Sequence, residues 1–248
     1  MSERTLFLAW QDGKLSRQWF PVGRLDANVD HAFYRFRYTG GAERAQQQAG
    51  FPLLLEFPRL DEDYRSSELF PLFQNRVMNR KRPDFVDYVH GLDLPDEADP
   101  IQILAANGGY RATDSYEVFP KIEKGVDGYF RCRFFLHGSR HLNADARERI
   151  ARLRDREELY VTLELTNPAT GLAVQIQTQD YHMIGWAPRY IVFDLAKALI
   201  EAPDGCEATV VRVNSRPVTS EQRVLIEMGG RLKDHEPMGS RDFIPLVS

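Results

Sequence analysis

Eight arginines crowd one short span, at positions 131, 133, 140, 147, 149, 152, 154 and 156, against Asp145, Glu148 and Asp155. That span carries a net +5. The 248-residue chain as a whole carries −4, which leaves −9 for the remainder. A protein that coats nucleic acid indiscriminately is usually basic throughout. A basic patch on an acidic chain points to a confined nucleic-acid site, or to a solvated helix face. Other chemistry finds little support. His137 and His141 span a turn with no matched carboxylate, and His182 follows later, so no metal site is expected. Glu68, Asp84 and Asp87 read as a solvated helix face without a partner motif. The two cysteines, Cys132 and Cys206, cannot make a zinc set or a disulfide framework. Cys132 sits in an aromatic strand pattern and reads as a buried free thiol. Gly-x-Ser-x-Gly, a Walker loop, a dinucleotide fingerprint and His-Glu-x-x-His are all missing. The expectation is therefore no catalytic residue, no cofactor and no enzyme.

The elements that must position those arginines follow from pattern. With 43% hydrophobic residues, 15 Phe, 10 Tyr and 3 Trp, the chain can bury a core. Thr5 to Trp10 reads as a strand, Gln11-Asp12-Gly13-Lys14 as a hairpin turn, and Leu15 to Val22 as its return. Phe33 to Tyr38 is a further strand, ended by Gly40-Gly41. Ser66-Ser67-Glu68 is expected to cap a helix through Leu69, Leu72, Phe73 and Val77. Pro83 opens another helix, and Pro100 a third that Gly108-Gly109 stops. The acidic run from Asp93 to Asp99 reads as a solvated loop. A new strand series starts at Ser115, so a module boundary is placed near 110–128.

Downstream, Asn143 or Asp145 caps a short helix with Ala146, Ile150 and Leu153 inward. Residues 159–166 alternate strictly, with Leu159, Val161, Leu163 and Leu165 on one face and Tyr160, Thr162, Glu164 and Thr166 on the other. Asn167 to Gly171 is a turn, Leu172 to Ile176 the returning strand, and Tyr181 to Trp186 a third. Pro188 precedes a helix through Leu195 and Leu199, and strands at 208–213 and 223–227 close the series. Five or six short strands with one interposed helix suggest a small closed barrel. The N-terminus shows no signal-peptide core, and no apolar run approaches the ~18 residues that span a bilayer. A cytoplasmic location with no membrane contact is expected.

Three pieces, in order, resemble a HIRAN domain over about 128–235: Gly138-Ser139-Arg140-His141, Asn167-Pro168-Ala169-Thr170-Gly171-Leu172-Ala173 and Gly185-Trp186-Ala187-Pro188-Arg189. The first stands where the family has a Gly-x-Arg-aromatic corner. The second keeps the Asn, Pro and final Ala of an Asn-Pro-Tyr-Asp-x-Asn-Ala turn, with Ala169, Thr170 and Leu172 in place of Tyr, Asp and Asn. The resemblance implies a small OB-like β-barrel that binds single-stranded or end-containing DNA, flat side chains stacking on bases and cations holding phosphates. Carried over, it makes Arg140, His141, Asn167, Trp186, Arg189 and Tyr190 nucleic-acid contacts; the clustering of Arg147, Arg149 and Arg152 beside that site makes them candidate phosphate contacts, against the reading of a solvated face. Trp186 is equally readable as a core tryptophan, and Arg140 as a donor to corner carbonyls.

The N-terminal region is similar to the N-terminal subdomain of HipA-type kinases, through Tyr64 to Phe73, Arg80 to Arg82 and Pro100 to Ala105. A Gly-rich phosphate loop with its Lys and a catalytic-loop Asp with its Asn are both missing, so that resemblance implies an interaction module. The expectation is an α+β chain of two modules, 1–120 and 128–248. It would act as a bacterial-type, non-catalytic DNA-binding accessory protein in DNA repair or processing, with a protein partner on the first module. The alternative is a protein-interaction or regulatory module that keeps the fold without binding DNA.

Overall fold

The computed structural model describes residues 3–13, 16–215 and 222–248. The chain is α+β and forms two units, one of residues 1–121 and 238–248 and the other of residues 122–237. In the first, β1 (Arg4–Gln11), β2 (Trp19–Asn28), β3 (Phe33–Tyr38), β4 (Tyr64–Ser66) and β5 (Tyr116–Pro120) make an antiparallel sheet in the order β4-β3-β2-β1-β5. Both faces of β1 are covered. Leu6 and Leu8 join a core with Phe20, Phe36, Phe57 and Phe73, while Phe7 packs on Phe119 and Phe243. Tyr38 is buried, and its hydroxyl donates to the Phe57 carbonyl (2.8 Å) and accepts from the Leu54 amide (2.9 Å). The ring thus enters the core without an unmatched polar group.

Four local expectations are corrected here. The return of the first hairpin begins at Trp19; Lys14 and Leu15 lie outside the described residues. Gly40-Gly41 does not break the chain but starts α1 (Gly40–Ala49), because a side chain at either glycine would collide with the Arg241 or Pro21 carbonyl. Ser66 ends β4 and caps no helix; α2 (Pro71–Gln74) follows an N-cap at Phe70. Finally, Met238–Ser248, expected with the second module, belongs to the first unit. Ile244 accepts from the Gly40 amide, Leu246 donates to the Tyr38 carbonyl, and Asp242 pairs with Arg44.

The proline-opened helices are present as α3 (Phe85–Gly91) and α4 (Pro100–Asn107). Asp99 and Gln102 form a reciprocal capping box on α4, and Gly108 ends it in the left-handed region. Part of the acidic run is therefore structural: Asp99 also binds Arg4 at 2.7 Å.

The second unit holds β6 (Tyr129–Phe135), α5 (Ala144–Ala151), β7 (Glu158–Asn167), β8 (Gly171–Thr178), β9 (Met183–Trp186), α6 (Val192–Glu201), β10 (Glu207–Val213) and β11 (Val224–Arg231). Its sheet is antiparallel in the order β6-β11-β10-β7-β8-β9. Asn143 is the cap of α5, its side chain accepting from the Ala146 amide at 2.8 Å, with Ala146 and Ile150 buried. Leu165 departs from the alternation and is 73% exposed.

The closed barrel is also corrected. No ladder joins the edge strands β6 and β9 along their length, and β9 is only four residues long. The two edges meet at a single antiparallel bridge, His137 to Trp186. No helix among the described residues is long and apolar enough to cross a membrane.

Candidate nucleic-acid interface

That single bridge is what assembles the corner. The His137 amide donates to the Trp186 carbonyl (2.9 Å), and the Trp186 amide donates back (3.1 Å). Two segments far apart in sequence, Gly138-Ser139-Arg140-His141 and Gly185-Trp186, are thereby brought side by side. Gly138 has φ +77°, and a Cβ there would lie 2.5 Å from Cε3 of the Trp186 ring. Only glycine lets the backbone turn and the indole pack this closely.

The opposite edge of the indole is anchored. Trp186 Nε1 donates to Glu164 Oε2 at 2.7 Å, and Asn167 Nδ2 donates to the same oxygen at 3.0 Å. Asn167 Oδ1 in turn accepts from the Ala169 amide and the Thr170 hydroxyl, both at 3.0 Å, which shapes the β7–β8 turn. The half-buried ring is fixed on two sides, by Gly138 and by Glu164. Sequence reasoning placed Glu164 only on the polar face of its strand. Nothing local marks it, because its partner lies two strands away across the sheet.

Beyond the bridge, a 3-10 turn at Ser139–His141 presents Arg140 and His141 to solvent, with Arg140 Nε donating to His141 Nε2 at 3.1 Å. Arg189 and Tyr190 open a second 3-10 turn, Arg189–Ile191. The Tyr190 ring meets His137 edge-on, centroids 6.5 Å apart. Four elements thus hold the six corner residues: the turn after β6, the β7–β8 turn, β9 and the turn before α6.

The arginine segment goes elsewhere. Arg147 Nε donates to the Asn143 carbonyl (3.3 Å) on its own helix. Arg149, only 15% exposed at the side chain, binds both Asp180 (3.0 Å) and Glu157. Arg152 lines an open depression of about 510 Å³ with Arg149, Arg154, Asp155, Arg156, Glu157 and Asp180. None of Arg140, His141, Trp186 or Arg189 lines it. Arg131 and Arg133 pair with Glu227 at 3.2 and 2.7 Å. The +5 of the linear span is therefore partly cancelled in space by carboxylates from outside it. Residues 122–237 contain sixteen Lys and Arg against seventeen Asp and Glu, so the unit is not basic as a whole.

The Arg149 hydrogen bond, helped by Thr178, holds the Asp180 carboxyl well below its usual range. Cys132, expected to be buried, is half-buried, and desolvation pushes its thiol up to about 12, with Asp194 adding to it. Such a thiol stays protonated and unreactive near neutrality. Among the described residues no group of His, Cys, Asp and Glu has the arrangement of a metal site.

No family model matches the chain, and no curated protein matches it. Two solved structures are similar to part of it. One is a structural-genomics protein from Lactobacillus plantarum, 14% identical, with a TM-score of 0.33, covering 42% of this chain and all of that one. The other is the HIRAN domain of human HLTF, 16% identical, with a TM-score of 0.28, covering 44% of this chain and 84% of that one.

Proposed function

We propose that residues 122–237 form a non-catalytic module that binds a single strand or an exposed end of DNA at the Gly138–Trp186 corner. The chain would serve as an accessory factor in DNA repair or processing, its first unit engaging a protein partner. One observation carries this reading: the His137–Trp186 bridge brings a fixed indole against a turn bearing Arg140 and His141. A flat ring held in place, with a cation beside it, is the minimum equipment for stacking a base and holding its phosphate. Gly138 meets the indole at Cε3, across the ring from Nε1 and Glu164.

A mobility-shift titration of single-stranded, blunt and 3′-tailed DNA at two salt concentrations tests this. Single-stranded and tailed DNA should bind at low salt and weaken steeply as salt rises. Absence of any shift at low salt would refute it.

A second reading, a protein-interaction module of the same fold, draws on the near-neutral charge of residues 122–237. It requires a stable co-purifying protein and no salt-sensitive affinity for DNA.

A further inference from the structure

The depression at the end of α5 has features the corner does not use. Arg149 is committed to Asp180 and Glu157 and closes the wall. Arg152, Arg154 and Arg156 are exposed, and their side chains make no hydrogen bond or ion pair among the described residues. Four arginines against Asp155, Glu157 and Asp180 leave this lining a net positive surface, with three guanidiniums outside any ion pair among the described residues to meet an anion with spaced charges.

An aromatic pair adjoins the depression through Asp180, although neither ring lines it. Asp180, which lines the depression, is followed by Tyr181, whose ring stacks on Tyr160 with centroids 5.7 Å apart and planes 25° from parallel. Tyr181 is 77% exposed and Tyr160 46%. Large rings left in water, next in the chain to a residue that lines an arginine-bearing depression, suit a ligand that has both flat apolar faces and phosphates. Two of these residues have an unusual backbone. Arg156 and Tyr181 both lie in the left-handed region, at φ 65° and 64°. Glycine would take these conformations without steric cost, yet an arginine and a tyrosine occupy them.

We propose that this surface is a second contact for single-stranded nucleic acid, in which Arg152, Arg154 and Arg156 hold successive phosphates and the Tyr160–Tyr181 pair stacks an unpaired base. The proposal rests on the DNA-binding reading and extends it from the corner to a longer track.

The left-handed positions supply a clean test. Arg156→Gly and Tyr181→Gly remove the side chains while relieving the backbone, so the melting temperature should hold or rise. Fluorescence anisotropy of the full chain with a labelled fifteen-nucleotide oligothymidylate and with a blunt duplex gives the readout. Tyr181→Gly should weaken the single strand about tenfold or more, in line with loss of a base stack, and leave the duplex nearly unchanged. Arg152→Ala/Arg154→Ala/Arg156→Gly should weaken the single strand further and lower its salt slope by about 2, about 0.7 for each phosphate lost.

If Arg140→Ala and Trp186→Ala weaken binding while these variants do not, the second contact is wrong and the corner reading stands. If the wild-type chain binds neither probe, the DNA reading fails and the second contact with it. An equal loss for strand and duplex in Tyr181→Gly would overturn the stacking role.

Discussion

Glu164 shows how much of the corner depends on one carboxylate oxygen shared by an indole and an amide. Glu164→Ala leaves both donors half-buried and unmatched, so it should cost about 1–2 kcal/mol of stability. It should also free the ring, read as a shift and broadening of the Trp186 indole N–H NMR signal. Gly138→Ala puts a methyl group into the indole at a positive φ. An expected loss of about 2 kcal/mol or more, seen in urea unfolding, checks that the packing is real.

Acid behaviour follows from Asp180. Its folded value lies below the ordinary 3.8 because Arg149 binds it. The pairing therefore contributes fully at neutral pH, and its contribution is lost as pH falls below 3.8 through the folded value. An NMR titration of the carboxyl should place its midpoint well below 3.8, and Arg149→Leu should return it toward 3.8. The thiols make a further test: at pH 8 the folded chain should react slowly with a disulfide reagent at Cys132 and Cys206, because burial raises both. Both should react at once in denaturant.

Among the elements, those set by local chemistry were legible. Pro100 and Gly108 mark both ends of α4, although its Asp99–Gln102 capping box was hidden in an acidic run that reads as a solvated loop. The Asn143 cap fixes α5, and Asn167 to Gly171 fixes the β7–β8 turn. What the sequence hid was set by distant neighbours. Gly40-Gly41 looks like a breaker, but its glycines are there for close approach to Pro21 and Arg241. Ser66 looks like a cap, but pairing with Tyr34 holds it in β4. The arginine run looked like one patch because linear charge counting cannot see Glu227, Glu157 and Asp180 folding back onto it. At the corner, Gly138 and Trp186 carried a visible motif, whereas Glu164 and the Tyr160–Tyr181 stack join side chains on different strands or turns and left no local trace.

For the whole molecule, chain order and unit membership differ. The last residues return to the first unit, where Phe243 packs edge-on against Phe7 at 5.0 Å and Arg37 donates to the Val247 carbonyl at 3.2 Å. Truncation after Pro237 should lower the unfolding free energy of that unit by about 2–4 kcal/mol, the scale of a lost core contact. The unfolding of residues 122–237, followed through the indole N–H NMR signal of Trp186, should be unaffected.

At the same scale stands the balance of charge. A near-neutral unit can hold nucleic acid only where its free cations and rings coincide, so binding must be local and sensitive to single residues. Anisotropy of a labelled single strand against the full chain and its Arg140→Ala/Trp186→Ala variant tests this most directly. Salt-sensitive binding by the wild type and a loss of at least about tenfold in the folded variant are expected. Equal affinity in the two proteins would contradict this.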